Sequence, residues 1–353
     1  MPNTLRDIIE QRPVTVSAPC RVDMGGTLDI DIFRLPLRQF SPCTFNIALN
    51  LRTRVRMLPY RVGMVKVSSK GFEDAEYPCD KAPYDHPLGL IFAIAAYFRA
   101  AGVHILIESS SPPRSALGGS SAAAVALVAA FCAVLNRVTF TRHHRGKIAL
   151  IAHALEQMVA GVPCGRQDQL AAAYGGVNAW HWQSDIGGRV YRKKILIAPQ
   201  FHTSLAQHML LAYCGIPHRS KNINGLWVRQ FLAAQHREHW VQIVAETKKF
   251  VDAMRRRNYK EAAASMNTEV AIRRRMTPAV LDKMGEALVE SAVQHGCGAR
   301  FTGAGGGGCI WALGEINHIA SLKAVWRKIL SQRKGAHLLD TQIDSEGIKA
   351  SRL

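Results

Sequence analysis

The stretch Ser115-Ala-Leu-Gly-Gly-Ser-Ser-Ala-Ala123 places glycines and hydroxyls directly before an apolar, alanine-rich run. Glycine reaches positive φ freely and has no side chain to block an approaching ligand, so such a turn exposes backbone N–H groups. If a helix follows, its first N–H groups and the positive end of its dipole add to them, and an anion is held by both. Ser120 and Ser121 bring hydroxyls that could touch a phosphate or a magnesium ion. Ser115, Ala116, Leu117, Gly118, Gly119, Ser120 and Ser121 thus read as a phosphate-binding turn, or alternatively as the flexible start of a buried helix. The turn is not a P-loop, because G-x-x-x-x-G-K-[ST] is absent and no lysine follows Gly119.

Two further groups could do chemistry. Asp168, in Cys164-Gly-Arg-Gln-Asp-Gln-Leu-Ala-Ala-Ala-Tyr-Gly-Gly176, is an isolated carboxylate after a loop. It could accept or orient a hydroxyl proton, or it could simply cap a helix. Glu156, twelve residues earlier, could be a magnesium carboxylate or an ordinary solvated helix residue. The run Gly303-Ala-Gly-Gly-Gly-Gly308 contains G-x-G-x-x-G but precedes a strand, so it is a poor dinucleotide fingerprint. Its content is backbone that can approach a ligand closely, or a tight hairpin turn.

These groups need a scaffold. Residues 13–22, 44–58 and 62–69 read as strands, with Arg52-Thr-Arg-Val-Arg-Met-Leu58 alternating. Residues 88–101 read as a helix and 103–108 as a short buried strand leading into the serine turn. An amphipathic helix over 142–160 stops at Gly161-Val-Pro163. Strands are expected at 190–197 and 207–214, helices through 221–296 with one starting at Pro278, and a last helix over 316–333. Strands and helices mix without strict alternation, which gives an α+β class. A length of 353 residues allows two domains, divided near residue 200 into 1–200 and 201–353.

Composition excludes some classes. Residues 116–135 carry no charge and reach the length of a membrane span, but small residues dominate their first half and no second such run exists. A buried core helix is the expectation, with no membrane partner. Met1 to Arg12 lacks an apolar segment, and the eight cysteines form no C-x-x-C, so a cytoplasmic chain with reduced thiols is expected. The net charge of +19 suits nucleoside triphosphates or sugar phosphates, although nucleic acid or anionic membrane would also attract it. Its densest clusters, 255–257 and 273–275, have no interleaved aromatics, which gives a nucleic-acid function little support.

Taken together, 113–123, 165–176 and 302–309 resemble, in order and spacing, the motifs of the GHMP kinases. Cys20-Arg-Val-Asp-Met-Gly-Gly-Thr-Leu-Asp29 resembles the sugar-recognition motif of the galactokinase and heptose-kinase branch, and residues 154–169 and 210–220 also fit it. The resemblance implies a two-domain fold: an N-terminal α+β domain with the phosphate loop and a ferredoxin-like α+β C-terminal domain. It implies ATP and Mg2+ as cofactors and a sugar or sugar phosphate as substrate, with galactose the first expectation and a heptose 7-phosphate the second. It further implies that Ser115 to Ser121 wrap the ATP phosphates and that Ser120 or Ser121 with Glu156 holds magnesium. Asp168 would act at the acceptor hydroxyl with Arg21 beside it. Asp29 would bind the sugar, and Gly303, Gly305, Gly306 and Gly307 would close around it. Two departures stand out. Ala116 occupies a place where the family commonly has glycine, and Arg21 and Asp29 are one residue closer than usual, which leaves Asp31 as the alternative to Asp29. A catalytically silent ATP- and sugar-binding relative is the rival class.

Overall fold

The computed structural model describes residues 4–136, 140–161, 163–183, 190–217 and 220–352. Val162, His218 and Arg219, which fall within the motifs above, lie outside them. The strands are β1 (Val14–Met24), β2 (Cys43–Pro59), β3 (Met64–Ser69), β4 (Ala75–Pro78), β5 (Val103–Ser109), β6 (Val177–Trp182), β7 (Tyr191–Ile197), β8 (Met209–Tyr213), β9 (Gly298–Phe301), β10 (Cys309–Leu313), β11 (His337–Leu338) and β12 (Lys349–Arg352).

The first sheet runs β12-β1-β2-β5-β3-β4, and β6 with β7 extends from the other end of β2. Strand β2 can serve two partners because it is long: Thr53–Pro59 pairs with β5, and Cys43–Ile47 pairs with β6. Its β5 half alternates, with Val55 and Met57 buried and Arg54 and Arg56 exposed, so one face meets water. Its other half is buried on both faces. The register of β1 against β2 shifts between Pro19 and Cys20. Proline has no N–H to give the ladder and sits well at such a break, which re-aims the strand just before Arg21.

The uncharged run forms helix Gly119–Asn136, packed against β1, β2 and helices Gly89–Tyr97, Arg142–Ala160 and Gln167–Tyr174. Ala124 to Phe131 are all fully buried. A helix apolar on every side suits this central position, and alanine allows its neighbours to come close. Among the described residues no helix is long and apolar enough to cross a membrane.

The second sheet, β11-β8-β10-β9, is antiparallel and carries its own core, with Trp227, Trp240 and Trp326 fully buried beneath the helices of residues 220–330. The fold is thus α+β in two domains. The chain then returns: β12 pairs with β1, and Arg145 donates to the carbonyls of Glu346 and Ile348 on the way. A cut near residue 200 remains our proposed boundary, with this last strand counted in the first sheet. Pro278 starts a helix of the 3-10 type only, Pro278–Val280, and the next α-helix begins at Lys283 with Asp282 accepting from the Gly285 N–H. Strand β6 and the helix Leu5–Gln11, held by a Thr4 and Asp7 capping box, were not expected from the sequence.

Candidate active site

A cavity of about 870 Å³ opens where the end of β1, the serine turn, the start of helix Gln167–Tyr174 and the glycine loop meet. The turn is fastened to β1. The Arg21 N–H donates to the Leu117 carbonyl (2.9 Å), and Arg21 Nη1 donates to the Ala116 carbonyl (2.7 Å). Gly118, Gly119, Ser120 and Ser121 border the cavity at the helix N-terminus, where backbone N–H groups have no intrahelical partner. Ala116 adopts φ +61°, a left-handed conformation that costs a non-glycine residue about 1–2 kcal/mol. Room for its methyl comes from across the interface: a Cβ on Gly308 would lie only 2.9 Å from that of Ala116. The missing loop glycine is thus matched by a glycine in the other domain.

Asp168 is not a helix cap. The cap position is Arg166, which makes no side-chain cap bond, and Asp168 lies in the first turn. Its carboxylate accepts two parallel bonds from Arg21, Nε to Oδ1 and Nη2 to Oδ2, each 2.7 Å. This fork-on-fork pairing fixes both groups in one plane. Burial opposes the charge on Arg21, but Asp168 and then Asp23 outweigh it and hold the guanidinium protonated.

The structure distinguishes Asp29 from Asp31. Asp29 is fully buried at the cavity wall; its Oδ2 accepts the Gln167 N–H (2.8 Å), while its Oδ1 has no partner among the described residues. Gly165 is required beside it, since a Cβ there would fall 1.8 Å from Oδ2. Asp31 lies outside the cavity, clasped by Arg166 (2.6 and 2.9 Å) and Arg34 (2.7 Å). Although its partial burial raises its pKa, those arginines prevail and lower it to about 2.

Burial raises the Asp29 pKa to about 6; the Gln167 N–H opposes this and the nearby Asp168 adds to it. An acid whose folded pKa exceeds its unfolded value binds more protons when folded, so it weakens the fold as pH rises between the two values. That window runs from 3.8 to about 6. Asp29→Asn should therefore stabilise the ligand-free protein at pH 8 by on the order of 2–3 kcal/mol. At pH 4 the gain should vanish, and thermal melts of both proteins at the two pH values check this.

Glu156 faces the turn. Ser120 Oγ donates to Oε1 (2.8 Å), and Ser121 Oγ and Gln169 Nε2 donate to Oε2 (both 2.7 Å). Burial pushes its pKa up, the three donors hold it down, and Asp168 adds a like charge. A carboxylate beside two hydroxyls, with no cationic partner among the described residues, is a hard oxygen set that fits Mg2+. Among the described residues no three His, Cys, Asp or Glu side chains converge as metal ligands. Such an ion would take its remaining ligands from phosphates and water.

The glycine loop divides between two surroundings. Gly303 and Ala304 line the cavity, but Gly305, Gly306 and Gly307 do not. Cβ atoms at those three would strike Val280 O (2.6 Å), Ile223 Cδ1 (2.6 Å) and Pro217 O (3.0 Å). Their φ values of +77°, +75° and +108° and this crowding show that glycine is needed at all three for packing within the second domain.

Sequence reasoning missed a buried chain of charges behind the site. Asp23, Glu269, Arg273 and Arg300 are all fully buried. Arg300 pairs with Asp23 (3.1 Å) and with Glu269 (3.0 Å), and Glu269 pairs with Arg273 (2.5 Å). Arg273 also lies over the Trp227 and Trp240 rings. In the sequence Arg273 is one of the dense basic cluster 273–275. A signal was available, because Glu269 and Arg273 stand four residues apart among Val270, Ile272 and Met276, on an apolar helix face.

Comparison with protein families matches residues 88–176 to the GHMP kinases N terminal domain and residues 250–331 to GHMP kinases C terminal. The chain is 23% identical over 324 residues to a mevalonate kinase of Pyrococcus horikoshii, covering 85% of this chain and 88% of that one. It is 24% identical over 251 residues to a D-glycero-alpha-D-manno-heptose 7-phosphate kinase of Campylobacter jejuni, 69% of either chain. Among solved structures, Lactococcus lactis galactokinase complexed with galactose superimposes with a TM-score of 0.71 at 18% identity, over 96% of this chain and 95% of that one. At that identity the likeness is one of fold. With both family domains matched in order and the fold shared along the whole chain, this protein belongs to the GHMP kinase family of phosphotransferases.

Proposed function

We propose that this protein transfers the γ-phosphoryl group of ATP to a hydroxyl of a sugar or sugar phosphate, with galactose and heptose 7-phosphates the first candidates. The observation that carries the reading is the Arg21–Asp168 pair, set between the serine turn and the free oxygen of Asp29. Phosphoryl transfer is largely positioning and charge neutralisation, and each part has a residue suited to it. Ser115 to Ser121 would hold the phosphates at the helix N-terminus. Asp168 would accept or orient the acceptor's hydroxyl proton, and Arg21 would keep that carboxylate aligned while facing the moving phosphoryl group. Glu156 with Ser120 or Ser121 would hold Mg2+, whose chemistry is neutralisation of phosphate charge.

The acceptor class follows from Asp29. A buried carboxylate with one unpartnered oxygen rewards a ligand that donates hydroxyls and penalises one that brings a second carboxylate. That favours a sugar. A mevalonate acceptor is the second reading, supported by the similarity to mevalonate kinases. The silent sensor is the weaker alternative, because Arg21 and Asp168 are both in place and paired. Coupled ADP release over galactose, other hexoses, heptose 7-phosphates and mevalonate discriminates between them. We expect turnover with a sugar and none with mevalonate. Turnover of mevalonate alone would replace this reading, and binding of ATP and a sugar without ADP release would favour the sensor.

A further inference from the structure

The buried charges behind the site continue the Arg21–Asp168 pair into an alternating series: Asp168, Arg21, Asp23, Arg300, Glu269, Arg273. The links are 2.7, 3.5, 3.1, 3.0 and 2.5 Å. Arg21 and Asp23 lie on β1 of the first sheet and Asp168 in the matched N-terminal domain, whereas Arg300, Glu269 and Arg273 lie in the matched C-terminal domain. Three carboxylates balance three guanidiniums, so the series is neutral. Asp23 is its hinge. Its Oδ1 accepts the Gly303 N–H (2.7 Å) and lies against Arg21, its Oδ2 takes Arg300, and its carbonyl accepts the Trp311 indole N–H (3.2 Å). One side chain thus touches the guanidinium at the site, the cavity-lining glycine of the loop and the far domain's arginine. Gly26 leaves it room, as a Cβ there would come 2.3 Å from Oδ2.

We propose that Asp23 and Arg300 are positioning residues for phosphoryl transfer, setting how Arg21 is shared between Asp168 and the ligand and tying that setting to the seating of the second domain. This rests on the kinase-site reading above. The reasoning is electrostatic. Arg21 has carboxylates on two sides, and the pull from Asp23 is moderated by Arg300. Remove the Asp23 charge and the series is left with an excess positive charge, with Arg21 drawn wholly to Asp168. Remove Arg300 and Asp23 pulls Arg21 away from it. Remove both and neutrality returns. In a buried cluster these imbalances are poorly screened, and a misplacement of about 1 Å at a reacting centre can cost on the order of 100-fold in rate.

The test is a double-mutant cycle on the 353-residue chain, reading kcat and KM by ADP release with the fastest acceptor of the panel. Asp23→Asn and Arg300→Gln should each lower kcat by about 10- to 100-fold while the KM values for ATP and acceptor change little. The double variant should recover at least about tenfold over the product of the two losses. Arg300→Lys keeps the charge and should retain most of kcat; it carries the test if a neutral variant does not fold. Single variants that melt lower yet turn over normally when folded, or losses that simply multiply, would overturn the positioning role. Asp168→Asn run in parallel separates the two readings. If it is inactive while Asp23→Asn is normal, only the positioning role fails. If it is fully active, or the parent chain phosphorylates no acceptor, the kinase-site reading fails and the positioning role with it.

Discussion

Asp168→Asn should lower kcat by about 10²–10⁴-fold, the range for loss of a group that handles the proton in the transition state. Asparagine matches the shape of aspartate, so the loss comes from chemistry and orientation, not from a hole. Its carbonyl oxygen can still accept from one Arg21 N–H, but its amide group then confronts the other, because the native pair uses both carboxylate oxygens. The turn that would hold the phosphates is fastened to β1 separately, through the Leu117 carbonyl. The KM for ATP should therefore stay close to that of the parent, while the melting temperature should fall, because buried Arg21 loses the carboxylate that chiefly holds its charge. Initial rates over a range of ATP concentrations, with a melt of each protein, check both halves of this expectation.

The second large effect is on stability. Glu269→Gln removes the one carboxylate that serves both Arg273 and Arg300 in a fully buried site. Burial alone would raise the Glu269 pKa, but the two guanidiniums overcome it and hold it low, so the pair of arginines depends on that charge. Breaking a buried pair by deleting one partner typically costs about 3–5 kcal/mol, because the remaining charge has no compensation. That is a large share of the ~5–15 kcal/mol that separates folded from unfolded domains. Chemical denaturation should show the loss first in the second domain, where Arg273 also holds the Gly26 carbonyl and anchors the first domain. A loss within about 0.5 kcal/mol, as for an ordinary surface change, would mean the cluster is not the buried tie described.

What was legible in the sequence was local. The serine turn, the uncharged helix after it, β1 and the strand after the glycine loop all followed from short-range composition and period. Position 168 was legible as a carboxylate, but whether it capped a helix or faced a cation depended on Arg21, 147 residues away. The choice between Asp29 and Asp31 had the same character. Only the folded chain brings Arg166 and Arg34 onto Asp31 and leaves Asp29 with an open oxygen. The glycines at 305–307 were visible as a demand for close approach, yet the neighbours they approach are Val280, Ile223 and Pro217. Arg273 was hidden within a run of three arginines, because a charge count does not record which side of a helix faces inward. Ala116 marked a departure, and its partner Gly308 could be recognised only once the two domains met.

The central claim is that the Arg21–Asp168 pair acts on a sugar hydroxyl opposite the ATP phosphates. The most direct measurement follows label from γ-labelled ATP in a single turnover with galactose or a heptose 7-phosphate, for the parent chain and for Asp168→Asn. The account predicts a labelled phosphosugar from the parent and almost none from the variant within the same time. Label appearing only as inorganic phosphate, or equal labelled sugar from both proteins, would contradict it.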